Sequence, residues 1–273
     1  MKSEHPFAQM IAIALVVAGV LIGLSYVIDW FPTPASKNAH EVDTLYHVLL
    51  IASILIFVLV MTVAIYSVWR FRARPGDMSD GAPIHGNTRL EIIWVAIPFL
   101  LVTSLAGYGW KVLADEETHH KGELHVQVIG QQFAWHFQYE NTTPGNFQTD
   151  ELYLPKGRPV RFDITSKDVI HEFWVPATRL GEDAVPGIIT QIRLTPSRLG
   201  NFDVICAELC GAGHSTMRTT MHVLSPAAWD AWLAKQKRGA TVPGTGVPSP
   251  PIKKSASTGG MRRFAVILPT TRG

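Results

Sequence analysis

The sequence predicts a membrane-anchored all-β protein, in which two or three N-terminal transmembrane helices precede a β-sandwich or β-barrel domain. Hydrophobic residues make up 47% of the 273 residues and charged residues only 17%, and the apolar residues crowd into the first 110 positions. From residue 119 onward the apolar pattern changes to period two in short segments separated by turn signals. That change is typical of β-strands joined by tight turns.

Three apolar stretches are the candidate membrane helices. They are residues 8–28, 44–69 and 92–110, and none of them contains a charged side chain. A helix needs about 20 apolar residues to cross the hydrocarbon core of a bilayer. A buried helix of a soluble protein is the alternative, which uncharged runs of this length disfavour. We therefore expect the last two stretches to form a membrane hairpin over residues 44–114.

The first stretch has a second interpretation as a cleaved signal peptide. Its apolar run is longer than a signal peptide's central region of about 7–15 residues. The segment before it is only weakly basic, because Glu4 balances Lys2. We expect a retained helix, with residues 1–43 forming that helix, or a signal peptide, and an outer loop.

Basic residues orient the helices. The loop between the second and third stretches contains Arg70, Arg72, Arg74 and Arg89, whereas the loop before the second contains only Lys37. The positive-inside rule places the arginine-rich loop in the cytoplasm and everything after residue 110 outside it.

The outer domain is predicted over residues 115–237. Segments 124–129, 160–165, 188–194 and 202–205 are the clearest strands, and residues 227–237 form a short closing helix. Several short strands with regular turns favour an antiparallel sandwich or barrel. The remaining residues, 238–273, are rich in Pro, Gly, Ser and Thr, which predicts a disordered tail.

The charge of the outer region limits its partners. Residues 115–224 contain 14 Asp and Glu against 9 Lys and Arg. An acidic domain outside the cytoplasm argues against nucleic acid and suits a basic protein partner.

One short segment carries the chemistry. Cys206, Cys210, His214 and Met217 fall within twelve residues directly after a predicted strand, and glycines between them allow the loop to fold back. Soft sulfur ligands combined with imidazole select copper over oxygen-preferring cations. A second imidazole is available from His171 in another strand-like stretch.

Three other kinds of site would use only some of these cysteine, histidine and methionine residues. A disulfide between the two cysteines is common outside the cytoplasm but leaves His214 and Met217 without a role. Zinc accepts two Cys and two His but has no use for a thioether. A mononuclear copper site needs only one Cys. Two cysteines bridging two coppers, each capped by one His, use every residue.

The sequence closely resembles subunit II of haem–copper cytochrome c oxidases over about residues 40–236. The C-x-E-x-C-G-x-x-H-x-x-M loop of that family appears as Cys206 to Met217, and its D-V-I-H stretch as Asp168 to His171. Its D-A-V-P-G turn appears as residues 183–187, and its L-E-I-I-W…I-P pattern as residues 90–98. The resemblance implies a cupredoxin-like β-sandwich.

The resemblance also implies the metal ligands. The cysteines would bridge a binuclear copper A centre, with the histidines as terminal ligands and with the thioether and one backbone carbonyl as weak ligands. The carboxylate of the residue supplying that carbonyl would face a magnesium at the junction with subunit I, which suits magnesium's preference for hard ligands. The implied metal-binding residues are His171, Cys206, Glu208, Cys210, His214 and Met217.

The implied function is electron transfer. The family accepts electrons from cytochrome c and passes them to haem in subunit I, where oxygen is reduced to water. Expected partners are therefore subunit I, other oxidase subunits and cytochrome c, in an energy-transducing membrane such as a bacterial plasma membrane. Glu91 matches a residue at the mouth of a proton pathway into subunit I, and a solvated interfacial carboxylate is its alternative role.

Electron entry is where the sequence departs from the family. The usual Q-W-x-W stretch reads Gln132-Phe-Ala-Trp135 here, so Phe133 and Trp135 are the entry candidates. If they lie in one strand, they share a face, because residues two apart do; the alternative is that both are core aromatics. Guesses for the docking face are Glu140, Asp150 and Glu151. Two basic positions of the family read Gly181 and Ile188, which weakens inference about contacts with subunit I.

Two rival functions remain. A quinol-oxidase subunit of the same fold would lack the cysteines and histidines. A membrane-anchored copper delivery or storage protein should have an exposed site that exchanges metal readily, whereas these ligands come from segments 35 positions apart. The sequence contains no C-x-x-C-H motif, so no covalently bound c-type haem is expected.

Overall fold

A computed structural model describes residues 6–72, 75–76, 78, 83, 85–142 and 147–239. The last 34 residues lie outside this set, and nearly all of the predicted disordered tail falls among them.

Three long helices form the N-terminal part of the chain. They are α1 (Pro6–Val27), α2 (Asn38–Phe71) and α3 (Thr88–Glu116), and each is long and apolar enough to cross a membrane. Their large apolar side chains are mostly exposed in the isolated chain, as lipid-facing residues would be. The helix α3 begins at Asn87, whose side chain accepts a hydrogen bond from Leu90 N–H at 3.2 Å. The prediction of two or three N-terminal helices is confirmed, with three present in the described residues.

Among the residues that the structure describes, ten strands form two five-stranded sheets packed as a cupredoxin-like sandwich, which confirms the predicted fold class. The first sheet has the order β3-β2-β1-β5-β8, and the second β4-β10-β9-β6-β7. The strands are β1 (Leu124–Gln131), β2 (Ala134–Tyr139), β3 (Phe147–Thr149), β4 (Leu152–Pro155), β5 (Val160–Ser166), β6 (His171–Val175), β7 (Leu180–Ala184), β8 (Thr190–Leu194), β9 (Gly200–Cys206) and β10 (Arg218–Leu224).

The sandwich is mixed rather than purely antiparallel, so that part of the expectation is wrong. The strand β5 pairs in parallel with β1, and β10 pairs in parallel with β4. The cause is the path of the chain, because β4 lies in the second sheet between two segments that belong to the first. A strand that returns to its sheet after such a crossover can run in the same direction as its neighbour.

Alternating apolar side chains build the core between the sheets. In β5 every second residue is buried, including Val160, Phe162 and Ile164. The predicted closing helix is also present as α4 (Pro226–Gly239), and its Trp229 packs into the same core.

The loop between α1 and α2 is bonded directly to the sandwich. Ala35 N–H donates to Ala177 O at 2.7 Å, and Lys37 N–H donates to Thr195 O at 3.0 Å. Arg179 then reaches Asp43 with Nε–Oδ1 at 2.7 Å, and its guanidinium is almost fully buried. The membrane helices and the sandwich are therefore joined by non-covalent contacts as well as by the chain.

We expect Arg179→Ala to weaken this junction. Losing charge-assisted hydrogen bonds to a partly buried carboxylate costs about 1.5–3 kcal/mol. Thermal unfolding of the full chain in detergent, followed by near-UV circular dichroism, should show a lower midpoint. Arg198→Ala, which removes an exposed arginine of the same domain, is the control and should leave the midpoint unchanged. Equal midpoints for both variants would contradict the role given to Arg179.

Candidate metal centre

The structure brings the sulfur and imidazole groups of the cysteine loop together with His171. The Sγ atoms of Cys206 and Cys210 lie 3.8 Å apart. Each sulfur has one imidazole beside it, since Cys206 Sγ lies 3.9 Å from His171 Nδ1 and Cys210 Sγ lies 3.7 Å from His214 Nδ1. Met217 Sδ lies 3.9 Å from Cys210 Sγ. All of these side chains were predicted as ligands.

Strand pairing produces this convergence. Cys206 is the last residue of β9, and it pairs with Phe173 in β6, two residues after His171. The loop after Cys206 ends at Met217, directly before β10, and Cys206 N–H donates to Met217 O at 3.1 Å. The ligand loop therefore closes on itself at one end of the second sheet.

The backbone of the loop also supplies an oxygen atom that could bind a metal. The carbonyl oxygen of Glu208 lies 3.2 Å from Cys206 Sγ, while the carboxylate of the same residue is exposed. Gly211 has a φ of +134°, a conformation that side chains other than glycine rarely adopt. A left-handed position is thus needed directly after Cys210.

The two cysteines are not joined as a disulfide. Both are free, and a sulfur–sulfur bond would require about 2.05 Å. Burial, together with the hydrogen bond and charge of the neighbouring Cys206, raises the pKa of the Cys210 thiol to about 11. A metal at this site therefore has to displace protons from the sulfurs when it binds.

The donors fit a soft metal. Two thiols, two imidazoles and a thioether are the ligand types that select copper, and here each imidazole and the thioether lies within about 4 Å of a cysteine sulfur. A single tetrahedral zinc would leave Met217 unused, although that side chain is completely buried and lies against Cys210.

Asp168 holds the His171 ring in place. Its Oδ1 lies 2.9 Å from His171 Nε2, which leaves Nδ1 facing Cys206. Burial opposes its ionisation, but hydrogen bonds from Gln132 N–H, His171 and Val169 N–H lower the pKa of Asp168 to about 2. A carboxylate that orients a ligand histidine is a common feature of metal sites. Sequence reasoning gave Asp168 no role, although an acid three residues before a ligand histidine was visible.

The turn between β1 and β2 covers the ligand loop. Gln132 donates from Nε2 to Cys210 O at 2.6 Å. The Phe133 ring lies so close to Gly213 that a Cβ there would be 2.5 Å from its Cδ2 atom. Phe133 is 38% exposed, so an aromatic surface lies directly over the cysteine loop.

Trp135 has a different environment from Phe133. It lies in β2 and is 2% exposed, with its ring centroid 5.9 Å from that of His171. Phe133 precedes β2, so the alternation expected to place both rings on one face does not apply. One ring faces the core and the other faces outward.

The remaining predicted residues are not among the groups that contact the cysteine sulfurs. Glu91 is exposed at the start of α3, and its Oε1 accepts a hydrogen bond from Asn87 N–H at 3.2 Å. Glu140 is exposed, and Asp150 lies 2.8 Å from His136. Hydrogen bonds from Tyr153 and His222 hold the pKa of Glu151 below its ordinary value, against the opposing effect of burial.

The structure shows the surroundings of Gly181 and Ile188, the two positions at which the sequence lacks the basic residues of the family. A Cβ at Gly181 would lie 2.6 Å from Glu172 Oε1 and 3.1 Å from Cδ1 of Trp174, so a side chain here would require the Glu172 carboxylate to shift. Ile188 is exposed and follows the D-A-V-P-G turn.

Comparisons with known proteins agree with this geometry. A family model described as cytochrome c oxidase subunit II, periplasmic domain, matches residues 146–224, and the corresponding transmembrane domain matches residues 23–112. Cytochrome c oxidase subunit 2 of Synechocystis sp. is 31% identical, with 82% of this chain and 80% of that protein covered. Alternative cytochrome c oxidase subunit 2 of Bradyrhizobium diazoefficiens is 30% identical, with 85% and 95% covered.

A solved structure with a similar sequence is the periplasmic domain of subunit II of a cytochrome oxidase from Bradyrhizobium japonicum. It is 26% identical, covers 45% of this chain and 99% of its own, and has a TM-score of 0.42.

We expect Gly130→Ala to weaken metal binding. A Cβ at this position would lie 2.9 Å from Cδ2 of His171 and 3.3 Å from the Trp135 ring, so the imidazole has to move. Titration of the full chain with copper, followed by visible absorption, should show a lower affinity. Gly109→Ala is the control, since a Cβ there meets nothing within 4 Å. An affinity unchanged in both variants would show that the His171 ring position does not limit binding.

Proposed function

The chain belongs to the cytochrome c oxidase subunit II family, and we propose that its cysteine–histidine centre is a binuclear copper A site that takes electrons from a cytochrome c. Members of this family are subunits of an oxidoreductase and serve in electron transfer. The chain is accordingly a membrane protein with an extracytoplasmic domain that associates with other oxidase subunits. Placement in an energy-transducing membrane, such as a bacterial plasma membrane, is part of the proposal.

One observation carries the binuclear proposal: each cysteine sulfur has its own imidazole. Among the described residues, His171 gathers with both cysteine sulfurs within 4.8 Å, whereas His214 is not part of that group and lies beside Cys210. Two histidines on different sulfurs provide two metal positions rather than one.

The roles of the residues follow from this arrangement. Cys206, Cys210, His171 and His214 would hold the two coppers. Met217 and the carbonyl of Glu208, which lie one beside each sulfur, would be weaker ligands. When bound, the copper pair would supply a carrier for single electrons.

The protein limits movement at this centre. Asp168 fixes the orientation of His171, and Gln132 bonds the carbonyl of Cys210. Ligands held by a sheet and by a packed loop change position little when the charge changes, which favours fast electron transfer. Burial of Met217, His171 and Cys210 also excludes water from the sulfurs.

Phe133 is the better candidate for electron entry. It is exposed and contacts the loop between Cys210 and His214, whereas Trp135 is buried behind His171. The net acidic charge of the domain suits a basic cytochrome c. Asp150 and Glu151 remain candidates for that docking face, although each lies beside a histidine.

Two further assignments rest on the family resemblance. The exposed carboxylate of Glu208 is proposed to bind magnesium at the junction with subunit I. Glu91 is proposed to lie at the entrance of a proton pathway into subunit I. Its hydrogen bond to Asn87 N–H also gives it a local role in starting α3.

A copper delivery or storage function is not favoured. Such a site should expose its ligands for exchange, but among the proposed side-chain ligands Cys206, Cys210, His171 and Met217 are all buried.

The proposed centre is tested by metal content. The purified full chain loaded with copper should hold two coppers per chain and show one unpaired electron shared by both in paramagnetic resonance. Cys210→Ser should abolish that signal, because a hydroxyl does not bridge as a thiolate does. Thr216→Ser, on the same loop, should retain it. A stable content of one copper in the unmodified chain would contradict the binuclear assignment.

The entry route is tested by transient kinetics. Phe133→Ala should slow reduction of the copper centre by cytochrome c about tenfold, equivalent to about 1.4 kcal/mol of activation free energy. Trp135→Phe, which keeps a core aromatic, should change the rate much less. Both variants need an unchanged copper spectrum. An unchanged rate in Phe133→Ala would place electron entry elsewhere.

A further inference from the structure

A second site lies at the membrane end of the outer domain. A cavity of about 300 Å³ opens where the start of α2 and the end of α3 meet the sandwich. Two helices and four loops contribute to its walls. The lining residues are Lys37, Asn38, Glu41, Asp115, His120, Gly157, Pro159 and Thr195.

The cavity is far from the cysteine centre. Pro159 O accepts a hydrogen bond from Leu124 N–H at the start of β1, and β1 and β5 both run from there toward Asp168 and His171. With eight residues in β1, the two ends lie about 23 Å apart, at about 3.3 Å per residue. Binding at one end is therefore separable from binding at the other.

Along the membrane normal, the cavity lies at the level of the lipid headgroups. Glu41 lies five residues before Tyr46 in α2, and Asp115 lies five residues after Trp110 in α3. Five helical residues rise about 7.5 Å. Tyrosine and tryptophan mark the edge of the hydrocarbon core, and the headgroup layer outside it is roughly 5–7 Å thick. The charged walls thus stand at the outer edge of that layer.

The cavity walls offer a ligand one positively charged side chain, Lys37, and one negatively charged side chain, Glu41. Asp115 is neutralised by Lys111, at 2.6 Å between Oδ2 and Nζ. Within the part of the chain that the structure describes, Lys37 and Glu41 have no ion-pair partner within 4.0 Å. A zwitterion with a negative and a positive group complements this pair.

A metal ion fits these walls poorly. Over the described ranges, the carboxylates of Glu41 and Asp115 and the His120 ring do not gather within 4.8 Å of one another as metal ligands would.

We propose that this cavity binds the headgroup of an outer-leaflet aminophospholipid of the phosphatidylethanolamine type. Lys37 pairs with the phosphodiester, and Glu41 accepts hydrogen bonds from the primary ammonium. A primary ammonium suits Glu41 better than a quaternary one, because it donates charge-assisted hydrogen bonds. The lipid would join the sandwich to the membrane surface beside the loop that Arg179 already holds.

Native mass spectrometry of the detergent-purified full chain tests the proposal. After incubation with phosphatidylethanolamine or phosphatidylglycerol, one molecule of the former should stay bound per chain, and the latter should bind more weakly because it has no amine for Glu41. Lys37→Gln should weaken both lipids by about tenfold, as expected for one charge-assisted contact. Glu41→Gln should abolish the preference between them.

Two controls test whether the lipid binds at this cavity and through its headgroup. Lys167→Gln removes an exposed lysine near the copper end and should leave lipid retention unchanged. Inorganic phosphate and soluble phosphoethanolamine should compete only weakly if the lipid is the ligand. Equal retention of both lipids in the unmodified chain and in both variants would overturn the proposal, as would strong binding of phosphate without lipid. Copper content, measured in parallel, should not change in any variant.

Discussion

The backbone pairing of β9 with its two neighbours is the constraint on which the rest of the metal centre depends. Pairing with β6 brings His171 to the end of the strand that finishes at Cys206, and the bond from Cys206 N–H to Met217 O closes the ligand loop. These contacts are made by backbone atoms alone. The sheet therefore pre-organises the soft donors, and the remaining cost of binding is the displacement of protons from buried thiols.

Close packing around the loop turns this arrangement into a rigid one. The Phe133 ring occupies the space that a side chain at Gly213 would need, and His171 and Trp135 do the same at Gly130. Asp168 and Gln132 satisfy polar groups that would otherwise be buried without partners. A centre built in this way is suited to repeated electron transfer rather than to exchange of metal.

The two ends of the sandwich have different surroundings because the strands β1 and β5 extend from one end to the other and keep them apart. One end carries the sulfur ligands. The other end contacts the membrane helices, where Arg179 bonds Asp43 of α2 and where the cavity lined by Lys37 and Glu41 opens. Attachment to the membrane thus does not compete with the metal centre for the same residues.

Features that depend on local pattern and chemistry could be predicted from the amino-acid sequence. Long uncharged runs define the three helices, period-two patterns locate β1, β5, β8 and β9, and the types and spacing of Cys206 to Met217 indicate a soft metal. The parallel pairings, the burial of Trp135, the exposure of Phe133 and the role of Asp168 became visible only in the folded chain. These features depend on contacts between segments that are distant in sequence. The sequence shows that a residue is apolar or acidic. Its contacts with other strands and loops determine whether its side chain is buried and which other side chain it orients.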